Sequence, residues 1–308
     1  MPEQDLAAMP LATSIELIEL VREFTHADGT HATPIAGLQL LRLSAPGAPL
    51  PALYEPGLVL VVQGRKVATL GTQRLVYDPL HCLVVGVTML PVAQVVEASP
   101  QRPYLCLRLQ VDAREIGALV LESEGARAPA GAPLSGLQVV RTSPELLDAA
   151  LRLLRLLKAP RDAAVLAPLI QREIFYRVLT GELGARLRAL AVTDSHAQRI
   201  ARAIDLLKQR FAEPLRVEDV AQAAAMSPSA FHQHFKQLTA MSPLQYQKQL
   251  RLHHARQLML GQGLDAAVAG HRVGYESPSQ FSREYRRLFG APPRAEVRQT
   301  QAAVAGGA

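Results

Sequence analysis

SPSAFHQHFKQLTAMSPLQY (Ser227–Tyr246) and VGYESPSQFSREYRRLFGAPP (Val273–Pro293) are two copies of one pattern. Ser227-Pro228-Ser229-Ala230-Phe231 aligns with Ser277-Pro278-Ser279-Gln280-Phe281 at an offset of 50 residues. The offset persists at Phe235/Tyr285, Lys236/Arg286, Leu238/Leu288 and Pro243/Pro293. Upstream it becomes 49, at Ala224/Val273, Ala225/Gly274 and Met226/Tyr275, so the turn differs by one residue. Ser227 and Ser277 are placed as N-caps, and Pro228 and Pro278 at the first helical position. Phe231, Phe235 and Leu238 fall at i, i+4 and i+7, as do Phe281, Tyr285 and Leu288, which gives each helix one stripe to bury. That stripe is expected to pack on small residues of the preceding helix, Ala221 and Ala224 in one copy and Gly270 and Val273 in the other.

The opposite faces are polar. The first copy shows Ser229, His232, Gln233 and Lys236, and the second shows Ser279, Gln280, Arg283, Arg286 and Arg287. Gln suits adenine, Arg suits guanine O6/N7, and flanking cations suit phosphates. A recognition helix must offer this to a major groove. An ordinary helical repeat would also have polar outer faces. Two copies joined by one long helix in the basic part of the chain favour the nucleic-acid reading.

The charge supports that placement. The 308-residue chain carries a formal +6. From His196 onward there are 15 Lys and Arg against 8 acids, and before it 18 against 19. The whole surplus therefore belongs to the last third, as expected of a polyanion-binding module joined to a neutral one. Five lysines stand against 28 arginines, a bias that reads as genome composition. With 49% apolar residues and 19% charged, the chain is not of the disordered class. No run reaches the roughly 18 unbroken apolar residues of a membrane span, and Glu3 and Asp5 replace the positive charge of a signal peptide. A soluble, cytoplasmic protein is expected.

Ahead of the repeat, residues 35–112 read as β-structure. Short apolar runs recur at Leu58–Val62, Lys66–Leu70, Arg74–Tyr77, Cys82–Val87, Val92–Val96 and Tyr104–Val111. Turn residues separate them, which predicts an antiparallel barrel or small jelly roll. Ala126–Gly136 reads as a loop. Helices follow from Pro144 to about Lys158, stopped by Pro160, and over Ala163–Thr180. Their wide apolar faces are expected to pack on the barrel, to form a dimer interface, or both. In the last third, helices are predicted over Ala197–Phe211, Val217–Ala225, Pro228–Thr239, Pro243–Leu260, Leu264–Val273 and Pro278–Phe289. The tail after Arg298 is expected to be disordered.

Residues 198–296 resemble the DNA-binding domain of the AraC/XylS-type transcription regulators. The second half carries the family's Gly-Tyr-x-Ser-x-x-x-Phe-Ser-Arg-x-Tyr/Phe-Lys/Arg pattern almost intact. The N-terminal part resembles the cupin-like ligand-binding domain of one subgroup, through Tyr54-Glu55-Pro56, Gln63-Gly64-Arg65-Lys66, Tyr77-Asp78-Pro79 and Leu90-Pro91-Val92. The resemblance implies an α+β chain. Residues 1–140 would form a cupin-like effector domain, 141–195 a helical dimerisation region, and 198–296 the DNA-binding domain, with helix-turn-helix units at 217–238 and 265–288. A disordered tail would occupy 299–308. It also implies a transcription regulator, with activator and repressor both open, and a homodimer as the expected assembly. Its partners would be double-stranded promoter DNA in successive major-groove segments, a small-molecule effector, and RNA polymerase. Ala240 stands where the family usually has Gly; at positive φ it would cost about 1 kcal/mol. Gln233 stands where relatives often have Arg, which points the first helix to adenine or a water-mediated contact.

Other chemistry finds little support. His232 and His234 look like a metal-binding pair, but i and i+2 on a helix point to different faces. His253 and His254 are expected on a helix surface. His31 and His81 lack the His-x-His pair and Glu of a cupin metal site, so no metal or cofactor is expected. Cys82 and Cys106 cannot form a disulfide framework. Buried inert thiols are the plain reading, while effector or redox sensing would need exposed low-pKa thiolates; Arg108 shares a strand face with Cys106 and keeps that idea open. No catalytic triad, Gly-x-Ser-x-Gly or phosphate loop occurs. Two rivals remain: a cupin-type enzyme with a DNA-binding appendage, and an architectural DNA-binding protein whose barrel only dimerises.

Overall fold

The computed structural model describes residues 11–111, 113–122, 135–181 and 196–298. Its residues divide into two compact units, Met1–Pro49, Glu55–Val87 and Ala93–Gln198 against Leu50–Tyr54, Thr88–Val92 and Arg199–Ala308.

The first unit opens with helix α1 (Leu11–Glu23), followed by β1 (Gly29–Ala32) and β2 (Leu38–Leu43). The chain runs through β3 (Leu50–Pro51), whose residues belong to the second unit, and then through β4 (Gly57–Gln63), β5 (Arg65–Leu70), β6 (Gln73–Tyr77), β7 (His81–Val85), β8 (Val92–Glu97) and β9 (Tyr104–Gln110). After α2 (Ala113–Glu122) comes β10 (Leu137–Arg141). One sheet has the order β1-β2-β9-β4-β7-β10 and the other β3-β8-β5-β6. The expected antiparallel architecture is present: β4 pairs antiparallel with both β9 and β7, and β5 with β6. Strand β4 is buried along its whole length, as a strand covered on both faces must be. The six expected strands occur within two residues of their predicted limits. Helices α1 and α2 and strands β1, β2, β3 and β10 are not singled out by the sequence pattern.

Helices α3 (Pro144–Arg155) and α4 (Pro160–Thr180) follow, joined by a 3-10 turn at Leu156–Lys158. Pro160 does not merely stop one helix; it occupies the first turn of the next, where its missing N–H costs nothing. Leu147, Leu151 and Leu154 of α3 and Ile174, Phe175 and Val178 of α4 share a core with Leu17 and Val21 of α1. They pack on one sheet face, through Leu58, Leu60, Leu105 and Leu107. Arg155 clamps Glu16 of α1 with two bonds of 2.7 Å. Of the loop expected at Ala126–Gly136, residues 126–134 lie outside the described residues, as does the tail from 299.

The second unit holds α5 (His196–Gln209), α6 (Val217–Ala223), α7 (Pro228–Thr239), α8 (Pro243–Gln262), α9 (Ala266–Arg272) and α10 (Pro278–Phe289). Helices α7 and α10 have their predicted limits because their starts are written chemically. The Ser227 hydroxyl accepts from the Ala230 N–H and the Ser277 hydroxyl from that of Gln280, both at 3.3 Å. Helix α8 begins with a full capping box, Ser242 and Gln245 satisfying each other's backbone N–H, and ends at Gly263 in the left-handed region.

Candidate nucleic-acid interface

Each repeat is built from its buried stripe outward. Phe231 and Phe235 are fully buried, with ring centroids 5.4 Å apart, and Phe235 meets Tyr246 edge-on at the same distance. In the second copy Phe281, Tyr285 and Phe289 form an equivalent ladder at 5.5 and 4.6 Å. The partner residues are small, as expected: Ala221 and Ala224 are fully buried, and a Cβ on Gly270 would come within 3.0 Å of the Phe281 ring. Removing either leading Phe would cost about 3–5 kcal/mol. The stripes thus fix which faces turn outward.

All nine residues anticipated for DNA are exposed: Ser229, His232, Gln233 and Lys236 on α7, and Ser279, Gln280, Arg283, Arg286 and Arg287 on α10. Helical spacing sets Ser229, Gln233 and Lys236 opposite the buried stripe, and Ser279, Arg283 and Arg286 at the matching positions of the second copy. His232 lies at the flank. Among the described residues, the side chains of Lys236, Arg283, Arg286 and Arg287 make no hydrogen bond or ion pair, so four cationic groups are free for an anionic partner.

Other cations of the basic third are engaged inside the unit. Arg251 of α8 donates from Nε to the Phe211 carbonyl at 2.7 Å, and through its terminal nitrogens to Ala212, Glu213 and Gly274 at 3.2, 2.8 and 2.9 Å. Gln247 donates to Phe211 and Glu213 at 3.0 and 2.8 Å. Together they hold the turn that follows α5 and the turn between α9 and α10. Desolvation pulls the Arg251 guanidinium below its ordinary pKa. Arg256 binds Glu296 at 2.7 Å, and Tyr285 donates its hydroxyl to the same carboxylate at 2.5 Å. Lys248 reaches Glu284 at 3.2 Å. None of these roles is legible in the repeat, because each pairing spans 11 to 40 residues of chain.

A cavity of about 340 Å³ opens between the two copies, lined by Met241, Gln245, Lys248, Leu252, Glu284 and Arg287 among others. Burial pushes the Glu284 carboxyl up, but hydrogen bonds from Tyr275, Gln280 and Lys248 outweigh it and hold the group below the usual carboxylate range.

One expectation needs correction. His253 is not on the surface: it is 5% exposed, edge-on to Phe289 at 5.3 Å, and burial drops its pKa to about 4. Its neighbour His254 is half-buried, stacked on Phe211 at 4.1 Å. The cysteines do not meet the conditions for sensing. Cys82 is fully buried on the helix-covered side of its sheet, and burial pushes its thiol up to about 12. Cys106 is buried too, on a strand separated from that of Cys82 by β4, and desolvation raises its pKa despite Lys66 and Arg108 nearby. A thiolate is disfavoured at both. His31 bonds the Ala27 carbonyl and His81 bonds Asp78. Among the described residues no cluster of three or more His, Cys, Asp or Glu could hold a metal, and no helix is long and apolar enough to cross a membrane.

The comparisons with known proteins agree with this geometry. A model described as AraC-type transcriptional regulator N-terminus matches residues 34–186, and a helix-turn-helix domain model matches 220–299. The chain is similar to the HTH-type transcriptional regulator ArgR of Pseudomonas aeruginosa, 29% identical over 147 residues, covering 48% of this chain and 45% of that one. It is 32% identical over 135 residues to the HTH-type transcriptional activator RhaS of Escherichia fergusonii, covering 44% and 48%. It thus spans about half the length of the curated relatives it matches. In fold it is similar to an apo point variant of ToxT from Vibrio cholerae, with a TM-score of 0.59 at 10% identity over 84% of this chain and 96% of that one. Wild-type ToxT bound to an unsaturated fatty acid gives 0.58 at 9% identity, over 85% and 93%.

Proposed function

Because this chain belongs to the AraC-type transcriptional regulators, we propose that it binds promoter DNA through two recognition helices, α7 and α10, under the control of an effector-binding N-terminal domain. The observation that carries this reading is the pair of outward faces. All nine of their polar residues are exposed and four of their cations are unengaged, while the same unit pairs Lys248, Arg251 and Arg256 internally. Ser229, His232, Gln233 and Lys236 serve one major-groove segment, and Ser279, Gln280, Arg283, Arg286 and Arg287 the next. Lys and Arg contacts to phosphate supply much of the affinity and make it fall steeply with salt.

The domain limits proposed are 1–140 for the effector domain, 141–195 for the helical dimerisation region and 198–296 for DNA binding. The effector is a small molecule, as the fatty acid bound to ToxT is. A second copy of the chain is assigned to α4, where Val165, Leu169 and Tyr176 stand 67%, 61% and 47% exposed along one stripe. RNA polymerase is the further partner of an activator, and the cytoplasm its location.

Selection of bound duplexes from random DNA tests the reading. Two preferred segments about one helical turn apart are expected, roughly 10 base pairs centre to centre, doubled if the protein binds as a dimer. Binding without sequence preference leaves only an architectural role. Metal analysis of the purified protein addresses the enzyme alternative, for which a stoichiometric metal would speak.

A further inference from the structure

We propose that Glu284 is a positioning residue for base reading: it holds the Gln280 amide so that its carbonyl and second N–H together face the edge of an adenine. This rests on the DNA-binding reading above.

Three elements converge on the Glu284 carboxylate. One oxygen accepts from the Tyr275 hydroxyl at 2.8 Å, in the turn before α10. The other accepts from the Lys248 ammonium of α8 and from the Gln280 amide nitrogen, both at 3.2 Å. The Glu284 side chain is only 16% exposed, whereas Gln280 is exposed. Glu284 therefore stands on a foundation of two other elements and reaches one helical turn back to the reading face.

The consequence is chemical. An ionised carboxylate accepts and cannot donate, so Gln280 must turn its nitrogen toward Glu284 and its carbonyl away. One amide hydrogen is engaged; the other, and the carbonyl oxygen, remain for a partner. Adenine offers an N7 acceptor and an N6 donor on its major-groove edge, the complement of that pair. Guanine offers two acceptors there and would meet the Gln280 carbonyl with a like group. A tethered amide also avoids the ordering cost that a free glutamine bears on binding. The first copy has no equivalent, since Ala230 and His234 stand at the corresponding positions. The effect belongs to the second segment alone.

The test uses the full chain and a duplex selected from random DNA, with every base pair of the second segment varied in turn. E284A is expected to lose about tenfold of the adenine preference at one position. The guanine preference at the Arg283 position and the whole first segment should be unchanged. E284Q, whose amide can either accept from Gln280 or donate to its carbonyl, should lose part of the preference, less than E284A. In a Q280A background, E284A should change nothing further at that position. If E284A does not fold, E284D, which keeps the charge but withdraws it by one methylene, should show the same loss. An equal weakening on all sequences, or an adenine preference that survives in E284A or E284D, overturns the proposal. A wild-type protein with no sequence preference overturns the DNA reading itself, and is recognised before any variant is compared.

Discussion

Ala225 and Ala240 of the first helix-turn-helix copy stand where the second has Gly274 and Gly290, and all four adopt positive φ, between 52° and 87°. Left-handed backbone costs a residue with a Cβ about 1–2 kcal/mol, so the first copy holds strain at both ends of its recognition helix and the second holds none. Both turns are clasped by an arginine, Gly274 by Arg251 and Ala225 by Arg199 at 3.0 Å, and the second copy is tied further through Glu284 to Lys248 and Glu296 to Arg256. The reading faces differ in the same sense: Ser229, Gln233 and Lys236 against Ser279, Arg283 and Arg286. One copy is strained and presents one cation in this triplet; the other is relaxed and presents two. Backbone strain lowers local stability, so the first copy is the place to expect local opening.

The sharpest way to break this contrast is at the turns. A Cβ on Gly274 would lie 2.1 Å from the Ala212 carbonyl oxygen, a backbone atom that cannot step aside. G274A should therefore cost about 4 kcal/mol in denaturant unfolding, whereas A225G should be neutral or mildly stabilising. Equal effects would show that the two turns are not distinct. Next comes the clasp. Arg251→Ala removes the guanidinium donor from four backbone carbonyls and should cost about 3 kcal/mol, since bonds from a charged group are the strong ones.

Acid should act on the second copy through His253, which packs on Phe289. Burial lowers its pKa to about 4 from 6.5. Between those values the unfolded chain takes up a proton that the folded chain refuses, so stability is full above pH 6.5 and falls as pH drops toward 4. The loss should be on the order of 3 kcal/mol, and His253→Gln should flatten it in unfolding curves recorded across that window.

On DNA, Arg283→Ala should lose about tenfold at one base position of the preferred site, against severalfold for Gln233→Ala. Competition binding with single-base variants reads both, and uniform weakening would falsify the groove assignment. The smallest effects concern the helix ends. A240G should stabilise by about 0.5–1 kcal/mol, and G290A should destabilise by about 1 kcal/mol, because open space surrounds Gly290 and only its φ of 84° resists. Calorimetry of both variants gives the sign.

The repeat is legible because its information is local. A Ser-Pro start and aromatic residues at i, i+4 and i+7 need no distant partner to define a helix and its outer face, and α7 and α10 have the limits read from them. Ala240 is likewise legible as a left-handed position. The strands that escape the pattern lack that local signal: Gly29–Ala32 is a four-residue GTHA segment whose pairing to β2 makes it a strand. Glu284, Glu296 and Arg251 are illegible for a related reason. Their ties across α8 arise only when that helix is laid beside elements far away in sequence, although Glu284 also meets Gln280 one turn back on its own helix. The burial of His253 on α8 is dictated by Phe289, 36 residues on, and nothing near the histidine announces it.

Helix α8 itself carries a final consequence. Its 20 residues are capped at both ends, by Ser242 and by Gly263, and hold no proline beyond the first turn. At 1.5 Å per residue it is about 30 Å long, close to the roughly 34 Å repeat of the double helix. A rigid rod of this kind sets angular phase as well as distance. One inserted residue would advance α10 by only about 1.5 Å but swing it by about 100°, which on the proposed reading turns Arg283 from a groove toward a phosphate ridge. The tolerance of this protein to length change in α8 is therefore a matter of rotation, and insertions nearest a whole number of turns should be the least damaging.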